Sequence, residues 1–270
     1  MITSRTNPLV RQARALRQVG ARNETGLFLI EGLQQVGAAI EAGWEIETLL
    51  YAPELLRSEF GHELAARFGA RVETVSAAVF ESVAERDNPQ GILAMAVQRH
   101  RSLESMIVSG GAAALVSPQD PGNVGTVLRT LDAVGGAAVF LLDGGVDPYH
   151  PGVIRASMGA AFVIPLVEAS FADFLEWRKS CAIQLIGTSA RAKRDYRDPK
   201  PEAPWILLLG NEQKGLSESQ KDACDTVVSL PMRGRATSLN LAVAAGILLF
   251  AYMDPEPQET GGQPGAAGRI

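Results

Sequence analysis

Apolar runs alternate with helical patterns over the first hundred residues. Four runs predict strands at residues 28–30, 46–52, 71–75 and 92–97. Apolar residues spaced three and four apart predict helices at residues 9–19, 33–40 and 55–68. Gly43 and Gly69 are placed to end the second and third of these helices. Strands that alternate with helices are typical of an α/β unit with a mostly parallel sheet.

A polar segment interrupts this pattern after Gln98, and a second α/β unit follows. Its predicted strands lie at residues 112–117, 137–142, 183–187 and 205–209, with a further strand that ends at position 231. Its main predicted helices lie at residues 124–134, 171–179 and 238–253. We place a linker between Gln98 and Ser109, which predicts two α/β domains at residues 1–101 and 109–253. Residues 254–270 are rich in Pro, Gly, Glu and Gln, which predicts a disordered tail.

The composition is that of a globular protein, because 46% of the 270 residues are hydrophobic and 20% are charged. The longest apolar stretch, residues 239–253, is shorter than the ~20 residues that span a bilayer. No pattern typical of a secretory signal opens the chain. The two cysteines are far apart and only three histidines are present, so neither a disulfide framework nor a metal cluster is expected. These features predict a cytoplasmic protein with no membrane segment and no metal.

Charge is unevenly distributed along the chain. The net charge of -5 argues against a protein that coats nucleic acid, but it allows a local RNA-binding patch. Five arginines precede the first acidic residue, Glu24, and they are Arg5, Arg11, Arg14, Arg17 and Arg22. Three of them, spaced by three residues, share one face of a helix. This face is either simply solvated or, together with Arg5, an arm that contacts RNA phosphates.

Three loops rich in glycine and polar residues follow apolar strands in the second unit. In open α/β sheets, ligands bind beyond the carboxyl ends of the strands. In the first loop, residues 117–129, Asn123 is expected to cap a helix and Arg129 to lie on a partly buried face among apolar neighbours. The second loop runs from a buried strand into Gly210 and Glu212, where the glycine permits close approach of a ligand.

The third loop, residues 230–240, precedes the very apolar last helix. Ser238 is expected to cap that helix, which places Asn240 inside it. A buried amide without a hydrogen-bonding partner costs about 1–3 kcal/mol, so Asn240 requires a partner. The dinucleotide-binding glycine motif and the Walker motif are both absent. The residues alone therefore indicate an α/β enzyme with a polar ligand pocket, and they leave its reaction open.

The three loops, in this order, resemble the three motifs of the SpoU (TrmH-like) branch of the SPOUT RNA methyltransferases. The matching segments are NVGTVLR at 123–129, GNEQKGL at 210–216 and LPMRGRATSLN at 230–240. The first unit resembles the family's substrate-binding domain, an L30e-like α/β fold, in ITSRTNP at 2–8 and RDNPQG at 86–91. Gln213 and Ala242 depart from the family pattern, where a small residue and a second serine are common.

The resemblance implies transfer of a methyl group from S-adenosylmethionine to a ribose 2′-OH of RNA. It implies a parallel-sheet catalytic domain with a C-terminal trefoil knot, and a homodimer whose active site is completed across the interface. The implied cofactor residues are Thr188, Gly210, Leu230, Met232 and Leu239. The implied catalytic residues are Asn123, Arg129, Glu212, Ser238 and Asn240, with Arg129 acting at the 2′-OH. A guanidinium stays protonated, so Arg129 is expected to stabilise the developing alkoxide or to relay its proton to an RNA phosphate.

The sequence leaves alternatives open for the RNA target, for the basic loop and for the last helix. Ribosomal RNA of the 23S type is preferred because of the front domain, with transfer RNA as the alternative. An antibiotic-resistance relative and a non-catalytic RNA-binding or assembly protein are the other candidates. The basic loop at residues 191–200 is either solvated or in contact with RNA. The last helix either contributes to a dimer interface or is buried in the core.

Overall fold

The computed structural model describes residues 1–68, 71–198 and 201–253. The predicted tail at residues 254–270 lies outside these ranges, as do Gly69 and Lys200. The strands are β1 (Leu27–Glu31), β2 (Ile46–Tyr51), β3 (Val72–Thr74), β4 (Ile92–Val97), β5 (Gly111–Val116), β6 (Val139–Leu142), β7 (Leu166–Ala169), β8 (Gln184–Thr188), β9 (Arg194–Asp195), β10 (Trp205–Leu209) and β11 (Thr226–Ser229). The helices are α1 (Pro8–Ala15), α2 (Val19–Thr25), α3 (Leu33–Glu41), α4 (Glu59–Phe68), α5 (Ala77–Glu81), α6 (Pro121–Ala133), α7 (Pro151–Ala156), α8 (Phe171–Ser180), α9 (Glu218–Asp222) and α10 (Leu241–Met253).

The first unit contains a four-stranded sheet in the order β1-β4-β2-β3. The prediction of a mostly parallel sheet is wrong here, because β4 runs antiparallel to both of its neighbours and only β2 and β3 are parallel. The apolar pattern gave the position of β4 but not its direction. The helical connections make β1 and β2 parallel to one another, and β4 then enters between them from the opposite end.

The second unit is a seven-stranded sheet in the order β7-β6-β5-β10-β8-β11-β9, and every pairing in it is parallel. Strand β10 is fully buried, which explains its uninterrupted apolar sequence Trp-Ile-Leu-Leu-Leu. One face of the sheet is covered by α6 and α10, and the other face by α8. The α/β fold class is confirmed, whereas the trefoil knot stays a prediction.

The two units share a hydrophobic core. Tyr149, Ile154 and Phe162 of the second unit are buried in the same cluster as Phe28 of the first. The indole Nε1 of Trp44 donates a hydrogen bond to the carbonyl oxygen of Phe162 at 2.9 Å. The front unit is therefore packed against the second unit through apolar side chains and not joined to it by the linker alone. None of the helices that the structure describes is both apolar and long enough to cross a membrane.

Candidate functional site

The three predicted loops meet at one edge of the second sheet. Strands β5, β10, β8 and β11 are consecutive neighbours and parallel, so their carboxyl ends lie side by side. The loops that carry the three motifs follow β5, β10 and β11. The sheet topology therefore brings together segments that are about a hundred residues apart in sequence, as the sequence predicted for a site at this edge.

Glu212 is the centre of a hydrogen-bond network at this edge. Its carboxylate accepts the backbone amides of Gln119 and Asp120 and the side-chain amide of Asn123, at 3.1–3.2 Å. The other side-chain atom of Asn123, Oδ1, accepts a hydrogen bond from Asn240 Nδ2 at 3.0 Å. One residue from each motif is thus connected to the next: Asn240 to Asn123, and Asn123 to Glu212. Asn123 is buried, so these bonds satisfy both polar atoms of its amide.

Both helix caps at the site differ from the prediction. Helix α6 begins at Pro121 and is capped by Asp120, whose Oδ1 accepts the amides of Gly122 and Asn123. Helix α10 begins at Leu241, and its cap is Asn240 rather than Ser238. The expected caps, Asn123 and Ser238, are three and two residues from the observed ones, and the sequence could not separate them because Asp, Asn and Ser all serve at this position. The shift matters because a capping asparagine accepts through its Oδ1, and this atom of Asn123 is instead free to accept from Asn240.

Gly210 has a structural role that the sequence did not reveal. A Cβ atom at this position would lie 2.2 Å from the carbonyl carbon of Gly215, so the loop after β10 closes onto its own backbone. Asn211 holds the same loop: its Oδ1 accepts the amides of Gln213 and Lys214, and its Nδ2 donates to the carbonyl of Ser117 at 2.9 Å. Asn211 was missed as a site residue, although an asparagine two residues before the amide it binds is typical of such turns.

Arg129 lies apart from this network. The prediction of a partly buried face is wrong, because the side chain is exposed although its neighbours Val127 and Leu128 are fully buried. Six residues at 1.5 Å per residue place it about 9 Å along α6 from Asn123. The side chain also points to a different side of the helix, since six residues correspond to a rotation of about 240°. Its guanidinium has no hydrogen bond or ion pair with any other described residue.

The predicted cofactor residues lie around the same edge of the sheet. Thr188 ends β8, and its hydroxyl donates to the carbonyl of Leu208 at 3.1 Å. Leu230 and Met232 are half-buried, Leu239 is 38% exposed, and Ser238 is exposed. No backbone amide between Met232 and Leu239 donates to another described residue. Unpaired amides and carbonyls beside apolar side chains match a cofactor with an adenine, a ribose and a methionine chain, so these loops fit S-adenosylmethionine.

The arginines that the sequence assigned to an RNA-binding arm fall into two groups, one bonded within the protein and one exposed. Arg14 donates to the carbonyl and hydroxyl of Ser82, and Arg17 donates to the carbonyls of Val83 and Ala84. Arg14 of α1 and Arg17, two residues after this helix ends, thus attach this part of the chain to the segment after α5, so their role in this structure is structural. Arg5 and Arg11 are exposed. Within the described residues, no group of three or more His, Cys, Asp or Glu side chains is arranged to hold a metal ion.

Comparisons with known proteins place these features in a family. Residues 112–250 match the model of the SpoU rRNA methylase family, and residues 7–94 match a model described as an MRM3-like substrate binding domain. A 23S rRNA (uridine(2479)-2′-O)-methyltransferase from Streptomyces viridochromogenes is 31% identical over 260 residues, which cover 92% of this chain and 90% of the relative. The 23S rRNA (guanosine(2553)-2′-O)-methyltransferase RlmP from Bacillus subtilis (strain 168) is 30% identical over 249 residues, 92% of this chain and 97% of that protein.

A solved structure is similar over nearly the whole chain. The AdoMet-bound rRNA methyltransferase from Sinorhizobium meliloti superposes with a TM-score of 0.84 at 37% identity, covering 93% of this chain and 96% of that one. The family model covers the three motifs, including the residues that bind one another through Glu212 and Asn123. The chain belongs to the SpoU rRNA methylase family.

Proposed function

We propose that Asn123, Arg129, Glu212, Ser238 and Asn240 form the catalytic site with which this S-adenosylmethionine-dependent RNA 2′-O-ribose methyltransferase modifies 23S ribosomal RNA in the cytoplasm. The network from Asn240 through Asn123 to Glu212 carries this proposal, because it brings the three family motifs to one point. Residues 1–101 would hold the RNA substrate, and residues 109–253 would transfer the methyl group. The 23S target is supported by the two similar enzymes of known specificity, each matched over nearly its whole length.

The loops after β8, β10 and β11 would hold the cofactor through Thr188, Gly210, Leu230, Met232 and Leu239. When bound, S-adenosylmethionine supplies a methyl group activated by its sulfonium sulfur. Direct displacement needs the ribose oxygen in line with that carbon, and it needs no metal. The ribose oxygen would bond to the methyl carbon as the bond from that carbon to sulfur breaks and the thioether leaves, and the hydroxyl proton would pass to an RNA phosphate. A fixed cation beside the oxygen stabilises the charge that develops.

A homodimer would bring Arg129 to a substrate. Exposed apolar side chains form one stripe along the outer face of α10, and Phe250 and Val243 are 56% and 51% exposed. The stripe residues are Val243, Ile247 and Phe250, with Leu239 two residues before the helix begins. Helix α10 packs on α6 beside Thr130, the residue next to Arg129. Pairing of two copies through this face would bury the stripe, and it would carry each exposed Arg129 toward the loops of the other copy.

Replacement of Val243 and Phe250 together by glutamate is expected to give a monomer. Two charges in the centre of an apolar interface would remain unpaired, which is costly enough to prevent association. Light scattering at micromolar concentration measures the mass. The control is Ile107→Glu, at an apolar residue that is 85% exposed and outside α10, and this variant should remain dimeric. A monomeric wild-type protein would contradict the dimer.

RNA contacts would also come from a basic groove beside the cofactor loops. The groove lies between the segment that follows β8 and helix α9, and it is lined by Arg191, Lys193, Arg194 and Lys221, with Glu218 as its one acid. Arg194 and Lys221 bond to Thr226 and Glu218. Arg191 and Lys193 are exposed, and their side chains form no hydrogen bond with the described residues. They are suited to phosphates, together with Arg5 and Arg11 of the front unit.

Neutralising both Arg191 and Lys193 with glutamine is expected to weaken RNA binding and to reduce its salt dependence. Each lost phosphate contact lowers the slope of log affinity against log salt by roughly 0.7 for single-stranded RNA, so the slope should fall by about 1.4. RNA titrations at several salt concentrations measure the slope. Arg57→Gln with Lys179→Gln, which removes two exposed charges elsewhere, serves as the control. An unchanged slope would remove the groove from the RNA-binding surface.

The reaction itself is tested with the purified protein, labelled S-adenosylmethionine and ribosomal RNA in the presence of a chelator. We expect label at a ribose 2′-oxygen of 23S RNA. Transfer to tRNA alone would identify the alternative substrate. RNA binding with no transfer to any RNA would identify a non-catalytic protein, and loss of transfer on chelation would contradict the metal-free mechanism.

A further inference from the structure

A buried ion pair joins the front unit to the catalytic unit. Arg22, at 1% exposure, donates from Nε to the carboxylate of Asp147 at 2.7 Å. Its Nη1 also donates to the carbonyls of Leu16 and Arg17, at 2.8 and 2.9 Å. Arg22 belongs to α2 of the front unit, whereas Asp147 lies in the loop between β6 and α7 of the catalytic unit. A buried guanidinium is tolerated only when it is paired, so this contact fixes where the loop lies.

Asp147 also orders its own loop. Its second oxygen, Oδ1, accepts the backbone amide of Tyr149 at 2.7 Å. The backbone carbonyl of Asp147 accepts the amide of His150, whose side chain caps α7. Oδ1 of Asp147 therefore holds the end of this loop, while Oδ2 of the same carboxylate binds Arg22 of the front unit.

The start of the same loop, residues 143–146, lies against the first motif loop. The amide of Val146 donates to the carbonyl of Pro118 at 2.9 Å, and the hydroxyl of Ser117 donates to the carbonyl of Asp143 at 3.1 Å. A Cβ atom at Gly145 would lie 2.3 Å from the oxygen of Pro118. Gly145 has a φ of +108°, which glycine adopts most readily. The two loops are packed so closely that no side-chain atom fits between them, so a displacement of one loop also moves the other.

The residues that follow Pro118 are the ones that bind Glu212. The amides of Gln119 and Asp120 donate to its carboxylate, so their position decides where Glu212 and Asn123 lie. A continuous series of contacts thus leads from Arg22, through Asp147 and Pro118, to the centre of the proposed catalytic site. Displacements of about 1 Å in such sites can lower rates 100-fold.

We propose that Asp147 is a positioning residue for methyl transfer. Its ion pair with Arg22 holds the loop of residues 143–147 against Pro118, and this holds the Gln119 and Asp120 amides on Glu212. Docking of the front unit thereby sets the geometry of the catalytic site. The kinetic part of this inference rests on the proposed function, whereas the structural part does not.

The test uses the full chain with Asp147→Asn, which keeps the shape of the side chain and its acceptor for Tyr149 but removes the charge that pairs with Arg22. Hydrogen exchange of the peptide containing residues 117–120 is expected to become at least severalfold faster. The kcat at saturating RNA and cofactor is expected to fall about tenfold, with the Kd for S-adenosylmethionine within twofold of the wild-type value. Arg155→Gln is the matched control, because it breaks the exposed ion pair between the units, which joins Arg155 to Glu85 at 3.5 Å. This variant should change neither the hydrogen exchange of residues 117–120 nor kcat.

The double variant Arg22→Gln with Asp147→Asn guards against unfolding, because it leaves no buried charge unpaired. It is expected to show the same faster exchange at residues 117–120 and the same lower kcat. A folded variant with unchanged exchange in that peptide would overturn the proposal, as would an unchanged kcat, since a purely structural pair alters only thermal stability. If the wild-type protein transfers no methyl group, the proposed function fails and the exchange experiment still decides whether Asp147 positions the loop.

Discussion

Replacing Arg129 with alanine is expected to lower the kcat of methyl transfer by about 10²–10³, the usual cost of removing one electrostatic donor from a transition state. The expected Kd for S-adenosylmethionine is nearly unchanged, because the cofactor loops follow β8, β10 and β11, whereas Arg129 lies on α6, after β5. An interaction made only in the transition state lowers kcat and kcat/KM together, without raising KM. Steady-state kinetics at saturating cofactor, with calorimetry for cofactor binding, measure both quantities.

Arg57→Ala is the control for this variant, because it removes another exposed arginine from the front unit. Its kcat should equal that of the wild-type enzyme. Near-normal turnover in Arg129→Ala would remove Arg129 from the mechanism, and Glu212 would then be the first alternative. Mixing Arg129→Ala with a variant that is inactive through its cofactor loops gives a further test, because recovered activity would place the arginine of one copy at the site of the other.

The second large effect is expected for Glu212→Gln. The carboxylate of Glu212 accepts from Gln119, Asp120 and Asn123, and a glutamine offers only one oxygen to these donors. Its NH₂ group would face a backbone N–H, which leaves at least one donor without a partner. Hydrogen bonds to a charged group contribute about 1.5–3 kcal/mol each, so kcat should fall about 10–100-fold for one lost bond.

Glu176→Gln provides the matched control for Glu212, because Glu176 is an exposed acid on α8, which lies across the sheet from α6. Methyl transfer and thermal unfolding are measured on both variants. We expect Glu212→Gln to lose activity, while Glu176→Gln loses neither activity nor stability. Equal activity of Glu212→Gln and the wild-type enzyme would show that the network is only structural.

The sequence predicted the second sheet well because its central strands are buried on both faces. Strand β10 is apolar at every position, which is typical of a central strand covered on both faces. The first sheet was harder, because strand direction depends on which neighbour a strand pairs with. Strand β4 is equally apolar, yet it is antiparallel to both β1 and β2. Local periodicity contains no information on that choice.

The candidate site was found by motif, but its bonds were not. Asn123 and Asn240 are 117 residues apart, so no local pattern indicates that their side chains meet. The observed caps, Asp120 and Asn240, are close in sequence to the expected ones. Which residue caps each helix depends on where the helical backbone conformation begins, and the sequence does not show this. The sequence also did not predict which individual side chains are buried or bonded. Arg129 is exposed among buried neighbours, whereas Arg17 is engaged by backbone carbonyls that lie more than sixty residues away.

The most direct test of the central claim is a map of ribose methylation across total RNA from cells with the gene, without it, and with the Arg129→Ala form in its place. We expect one 2′-O-methylated position in 23S RNA that is present only with the wild-type gene. A map identical in all three strains, or a difference confined to tRNA, would contradict the assignment of 23S ribosomal RNA as the substrate.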